Sequence, residues 1–439
     1  MQTDFSRSDY KRSRWSYAIQ CTVQYFITLL MADTFSAKLY MHLGFSQATT
    51  GILSSIISLA FIVQFLSVFL VKNKRRAKLL SVIFIVISNI LFACLYLTPY
   101  MTFLSGEVRR TLALVLVITA YALLNFVSSI CFKWANSFVE PGNLGLFTAK
   151  KEMISLACSM VFTLAMAYAI GLYEKNGNLA GGFTFISITM FVITLCNFIC
   201  LMLIKRDPPA GTLQSYEKDY VKAFKYLFTN KGYVKIVVLG VIYYSAMYFI
   251  VGFIGAYKNM LLGTVLAATI VNTVASLIRL FVCIPFGKFM DKRSYVKGFE
   301  LALCISALAY LCCIFTTPTT WYLIIGYAVL HAISLAGTEN SSTYIVYNYV
   351  ELDYIEDAIA IKACISGLCG FGAALIAGKV VDLVERIKPV IFGVEIAPQQ
   401  VLALVSLVLV VAAILFVELA IQKSGPAKKE KKKSVSADF

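Results

Sequence analysis

The sequence predicts an all-α membrane protein of twelve transmembrane helices in two six-helix halves. Three observations predict it. Hydrophobic residues make up 59% of the 439 positions and charged residues 14%, too little polar material to coat a water-soluble domain of that length. Twelve apolar stretches fill most of the chain, each close to the roughly 20 residues a helix needs to cross hydrocarbon. One polar interruption, Lys205 to Lys235, opens on Asp207-Pro208-Pro209 and parts the stretches six and six. Helices are the expected form because a backbone in lipid must satisfy its own hydrogen bonds.

The spans read as 16–42, 47–70, 78–100, 109–134, 149–172, 180–204, 233–257, 264–287, 298–317, 320–346, 359–384 and 399–422. They define an N-terminal bundle over 1–204, a cytoplasmic linker over 205–232, a C-terminal bundle over 233–422 and a basic cytoplasmic tail over 423–439. The first span follows a basic segment, is too long for a signal-peptide core and lacks a small-residue cleavage pattern, so it is expected to be retained.

Of the 39 Lys and Arg residues, 30 fall on the side that holds both termini. The opposite side holds Arg109, Arg110, Lys175, Lys258, Arg386 and Lys388, and Lys38, Arg279 and Lys379 lie inside spans. Basic loops stay cytoplasmic, so both termini are expected inside a plasma membrane of the bacterial inner-membrane type. The net charge of +16 is spread over many short loops and forms no single face, which argues for topology and against a nucleic-acid partner. The tail Lys428-Lys429-Glu430-Lys431-Lys432-Lys433 is expected to touch anionic lipid head groups. All twelve cysteines, Cys21 to Cys369, sit in or beside apolar stretches without metal-ligand spacing and read as core residues.

The halves share a faint repeat. Val139-Glu140 and Lys151-x-x-Ile154-Ser155 recur as Val350-Glu351 and Lys362-x-x-Ile365-Ser366 at a constant offset of 211, the pattern expected of a carrier built from related halves around a midplane site. After the eighth span the chain reads Gly287-Lys-Phe-Met-Asp291-Lys292-Arg293-Ser-Tyr-Val-Lys297, and at the matching place after the second, Lys72-Asn-Lys74-Arg75-Arg76-Ala-Lys78. With twelve spans and a basic central loop, this resembles the major facilitator superfamily, whose loop signature is Gly-x-x-x-Asp-Arg/Lys followed by further basic residues. The resemblance implies its fold of two pseudo-symmetric bundles, solute transport by alternating access, and a gating role for Gly287, Asp291 and Lys292. The first-half loop lacks the glycine and the aspartate. The fifth span, reading Cys158-Ser-Met-Val-Phe-Thr-Leu-Ala-Met, lacks the drug antiporters' Gly-Pro, and Arg206-Asp-Pro-Pro stands where sugar porters carry Pro-Glu-Ser-Pro-Arg. No substrate subfamily is identified.

Polar groups inside a membrane are costly and tend to face a bundle interior or a wet cavity. On the first span Gln20, Gln24, Thr28 and Lys38 fall within about 80° of one another at 100° per residue, a candidate cavity face. Asp33, about 140° round from Thr28, is a candidate proton site or an interface residue. The fourth span carries Asn125, Ser128, Ser129, Phe132 and Asn136 on one side, and the tenth carries His331, Ser334, Thr338 and Ser342. The resemblance implies that the first and fourth helices of each half line the cavity. Tyr243, Tyr244 and Tyr248 of the seventh span offer faces for a ring and hydroxyls for hydrogen bonds. Helix packing is the alternative for each of these.

Glu339 lies among Gly337-Thr338 and Asn340-Ser341-Ser342, and Arg279 at similar depth in the eighth span. Desolvation favours the neutral form of an unpaired carboxylate, so the two residues read as a structural salt bridge, a proton-coupling switch or an anchor for a charged solute. The expected solute-binding residues are Gln20, Gln24, Thr28, Asn125, Ser128, Tyr244, Tyr248, His331 and Thr338, with Glu339, Arg279 and Asp33 for coupling. The function read from this is proton-coupled symport of a small polar solute by a monomer, without organic cofactor or metal. Drug or metabolite efflux is the nearest alternative and a transporter-derived sensor a further one. No paired catalytic carboxylates, nucleophile and base, phosphate loop or metal cluster stands out, which argues against an enzyme.

Overall fold

The computed structural model describes residues 8–59, 61–63, 77–140, 144–206, 220–351, 354–391 and 393–422. The basic first-half loop from Lys72 to Arg76, most of the linker and the basic tail lie outside the described residues, and so does the side chain of Asp291. Among the described residues nine helices are long and apolar enough to cross a membrane. The shorter apolar helices Gln47–Val63 and Leu323–Glu339, together with a first span in two pieces, complete twelve. A two-residue antiparallel ladder, Val390–Ile391 with Val394–Glu395, trims the connection before the last span.

The first span is Ser8–Leu30 followed by Asp33–His42. Asp33 adopts φ 49° at the break, a left-handed conformation that aspartate enters more readily than most residues. The break frees carbonyls inside a bundle where water cannot reach them, and two tyrosines take them up. Tyr96 Oη donates to the Leu30 carbonyl, and Tyr121 Oη donates to that of Met31 at 3.2 Å. The seventh span is also broken, into Lys231–Tyr248 and Val251–Leu262. The remaining first-half spans are Ala77–Leu97, Gly106–Asn136, Leu144–Lys175 and Leu179–Leu203; those of the second half are Val265–Lys292, Tyr295–Ile314, Leu323–Tyr344, Ile355–Ile387 and Pro398–Phe416. Side-chain caps start several of them: Ser46, Asn178, Asn230, Thr264 and Ser294 each accept a first-turn amide, which satisfies donors that a helix leaves open.

Each half has its own core. Phe92, Tyr96, Phe183 and Met190 are buried in the first, and Tyr233, Phe253, Phe299 and Tyr310 in the second. Outward faces stay apolar, as at Ile188, Val192 and Leu195 of the sixth span, which suits contact with lipid. Lys205 pairs with Asp9 at 3.3 Å and Lys235 Nζ donates to the Ala420 carbonyl at 2.9 Å, so both chain ends belong to one face, here the terminal face.

The halves interlock on the opposite, far side. Gln399 Nε2 donates to Gln47 Oε1 at 3.0 Å, and Asn259 Nδ2 donates to the Thr34 carbonyl at 2.9 Å. Glycines permit the approach. A Cβ at Gly252 would collide with Ser55 Oγ, and one at Gly255 would meet the Asp33 carbonyl at 2.6 Å. Small residues at such contacts let helix backbones close on one another.

Candidate functional site

Two charged clusters lie between the bundles. The first forms at the break in the first span, where Asp33 meets the second half. Lys258 Nζ donates to Asp33 Oδ2 at 2.5 Å and to Asn272 Oδ1 at 2.7 Å, while Asn272 Nδ2 donates to Asp33 Oδ2 at 2.6 Å. The amide of Asn272 thus clamps both charges. Lys258 keeps 6% of its side-chain exposure and Asp33 32%, a degree of burial that an ammonium tolerates only when paired and hydrogen-bonded. The sequence reading left Lys258 in a far-side loop beyond the seventh span; instead that span runs on to Leu262. The helix continues through the charge because a carboxylate from the other half neutralises it.

His331 and Tyr327 lie beside this cluster. Their rings stack at 5.5 Å with an interplanar angle of 7°, and Asp33, Lys258 and Arg279 all act electrostatically on His331. Both imidazole nitrogens and the Tyr327 hydroxyl are buried without a hydrogen-bond partner among the described residues.

The second cluster is Arg279 with Glu339. Arg279 Nη2 donates to Glu339 Oε2, and the side chains keep 32% and 58% exposure. Tyr25, from the first span of the opposite half, lies within electrostatic reach of both. Tyr244 and Tyr248 lie within reach of Glu339, their rings 6.0 Å apart. A charged pair facing hydrocarbon would be very costly, so its exposure is to the space between the bundles. Sequence reasoning missed Tyr25, although its place three residues before Thr28 on a polar stripe was a usable signal.

Other residues singled out from the sequence bind within their own half. Gln24 exchanges two hydrogen bonds with Asn89, at 2.9 and 3.0 Å, and accepts a third from Asn197 at 2.6 Å. Gln20 is 3% exposed, and the Thr28 hydroxyl returns to the Gln24 carbonyl at 3.2 Å. Asn125 and Ser128 likewise donate to carbonyls of their own helix. Thr338 is fully buried and accepts from Tyr243 Oη at 2.8 Å. Lys38 leaves the cavity stripe: it pairs with Glu174 at 2.6 Å, because the 100° rule that aligned it with Gln24 assumed an unbroken helix. Gly287 has open space around it, Lys292 is exposed in the last turn of the eighth span, and the side chain of Asp291 lies outside the described residues.

The repeated residues hold related positions in each half. Ser155 shares a 2.9 Å hydrogen bond with Thr22, joining spans five and one. Its counterpart Ser366 packs where a Cβ on Gly240 would come within 2.6 Å, against span seven. Lys151 stands 5.0 Å over the ring of Tyr17, and Lys362 Nζ donates to Ser342 Oγ at 2.7 Å.

Two six-helix bundles, with a broken first helix in each and charged groups between them, make a fold that recurs among solved membrane transporters. Among solved structures the chain is similar to a point mutant of the nucleoside transporter NupG, with a TM-score of 0.70 and 14% identity over 92% of this chain and 99% of that one. It is also similar to a bacterial homolog of the human lysosomal transporter Spinster, in an inward-facing and unoccupied conformation, with a TM-score of 0.67 and 13% identity over 94% and 97%. A D-xylose-proton symporter follows with a TM-score of 0.65 and 11% identity over 92% and 97%. No family model and no curated protein sequence matches the chain.

Proposed function

We propose that this chain is a secondary transporter that carries a small polar solute by alternating access and couples it to a proton as a symporter. The observation that carries this reading is the Arg279–Glu339 pair, held between the bundles within reach of Tyr25 from the other half while the bundles are interlocked on the far side. Rocking of the halves would carry that pair from one face to the other. Protonation of Glu339 removes the charge that holds Arg279, leaving the guanidinium to a solute acceptor or to Tyr25. A proton and a solute then favour the same rearrangement, which is what symport requires.

The tyrosines at 25, 244 and 248 offer flat faces and hydroxyls, suited to a solute that combines a ring with hydrogen-bonding groups. His331 and Thr338 of the tenth span complete the proposed lining, and Gly287, Asp291 and Lys292, at the end of the eighth helix, serve as the gate. The charge bias of the loops favours a cytoplasmic terminal face, and a far-side seal is then what a state closed to the outside would have. Nucleoside and xylose-proton transport by similarly folded proteins agrees with a polar cargo. The expected setting is a monomer in the plasma membrane.

The test is uptake into vesicles with and without an inward proton gradient. The reading predicts gradient-driven accumulation by the wild type, and by Glu339→Gln only equilibration of the same solute. Accumulation by Glu339→Gln equal to wild type would remove Glu339 from coupling.

A further inference from the structure

The far-side seal contains a charge pair, its lysine buried and its aspartate partly buried, whose partners come from different halves. Asp33 belongs to the first span, whereas Lys258 and Asn272 belong to the seventh and eighth. Every bond in this triad except Lys258 to Asn272 crosses between the bundles. In a two-bundle carrier, such a pair can exist only while the far side is closed. Opening that side pulls the carboxylate from the ammonium and gives each to water.

We infer that Asp33, Lys258 and Asn272 are positioning residues that set which face the cavity opens to. This rests on the alternating-access reading and adds to it a device that holds one of the two states. The physical argument is one of compensation. In the sealed state two charges are desolvated together and the Asn272 amide satisfies both, with its carbonyl toward Lys258 and its amino group toward Asp33. Remove one charge and the other is left at the seal without a counter-ion, Lys258 buried and Asp33 partly buried, a situation that costs more than the pair itself is worth. The far-open state, in which the orphan is hydrated, relieves that cost. Remove both charges and the cost disappears, so the seal can close again on its glycine contacts and on the Gln47–Gln399 and Asn259–Thr34 bonds.

The chain arrangement supports this role. Asp33 is held by a helix break whose freed carbonyls are bound by Tyr96 and Tyr121, so its position is fixed from within the first half. The backbone of Asp33 sits directly against Gly255 of the second half, and Asn259, next to Lys258, is itself bonded to Thr34. The contact surface and the charge pair therefore open and close together.

The experiment is hydrogen–deuterium exchange of the full-length protein in lipid nanodiscs, read by peptide mass spectrometry, for wild type, Asp33→Asn, Lys258→Met and the double variant. Each single variant is expected to raise early deuterium uptake severalfold in the far-side segments 33–42, 47–54 and 251–262. It is also expected to lower uptake in the terminal-side segments 279–292 and 338–344. The double variant is expected to return towards wild type on both sides. A merely structural role would raise uptake on both sides together, and that outcome overturns the inference, as does a double variant whose shift equals the sum of the two singles. Should Asp33→Asn fail to give a monodisperse protein, Asn272→Leu, which removes the clamp and leaves both charges, is expected to shift both sides in the same opposed sense, and a wild-type pattern there overturns the inference. Because the readout needs no solute, an unshifted pattern in a protein that still transports would sink the latch alone. Transport failing in every variant and in wild type would sink the transporter reading.

Discussion

Gln24 shows how a polar residue in a membrane helix can be read two ways. Its spacing with Gln20 and Thr28 placed it on a cavity face, yet its amide is taken up by Asn89 and Asn197, both fully buried. Gln24→Leu would strand those two amides in an apolar bundle, and a buried unsatisfied amide costs about 1–3 kcal/mol. The expected result is a clear fall in the thermal unfolding midpoint in detergent with solute affinity close to wild type; an unchanged midpoint with lost binding would return Gln24 to the cavity. Arg279 and Glu339 differ in kind. They were legible one by one, as charges at similar depth in apolar stretches, while a salt bridge between them was one of three readings that the sequence left open. Lys258 was not legible, because a lysine near the end of a hydrophobic run looks the same in sequence whether it marks a loop or meets a carboxylate from the other half.

At the scale of the element, the breaks in spans one and seven carry most of what hydropathy could not show. A window of apolar residues reads straight through Met31-Ala32 and Phe249-Ile250, since a break needs no polar residue of its own where neighbouring groups satisfy the freed carbonyls, as Tyr96 and Tyr121 do by donating to Leu30 and Met31. The capped helix starts were easier, as Ser, Thr and Asn stand at them. The same elements make Gly255 a sensitive position. In Gly255→Ala the new methyl would fall 2.6 Å from the Asp33 carbonyl, and overpacking of this kind typically costs about 1–3 kcal/mol. That cost falls on the sealed state alone. Binding of solute from the far side is therefore expected to survive while the turnover rate falls about fivefold or more, each 1.4 kcal/mol being a factor of ten. Wild-type turnover would mean that the halves do not close as tightly here during the cycle.

Over the whole molecule, twelve helices and two halves were readable because lipid imposes one length and one periodicity on every span. The far-side interlock was not, because it depends on which glycine faces which backbone across 200 or so residues of chain, roughly the separation that the repeat offset of 211 implies. The central claim is that the two halves alternate around a bound solute, and solute counterflow tests it most directly. Once a thermal-shift screen finds a solute that stabilises the protein, vesicles loaded with it unlabelled are diluted into a trace of the labelled form without any ion gradient. An alternating carrier accumulates label transiently above equilibrium, because the internal solute returns the binding site outward. Label that only equilibrates, as through a pore, or that binds without entering, as on a sensor, would contradict the account.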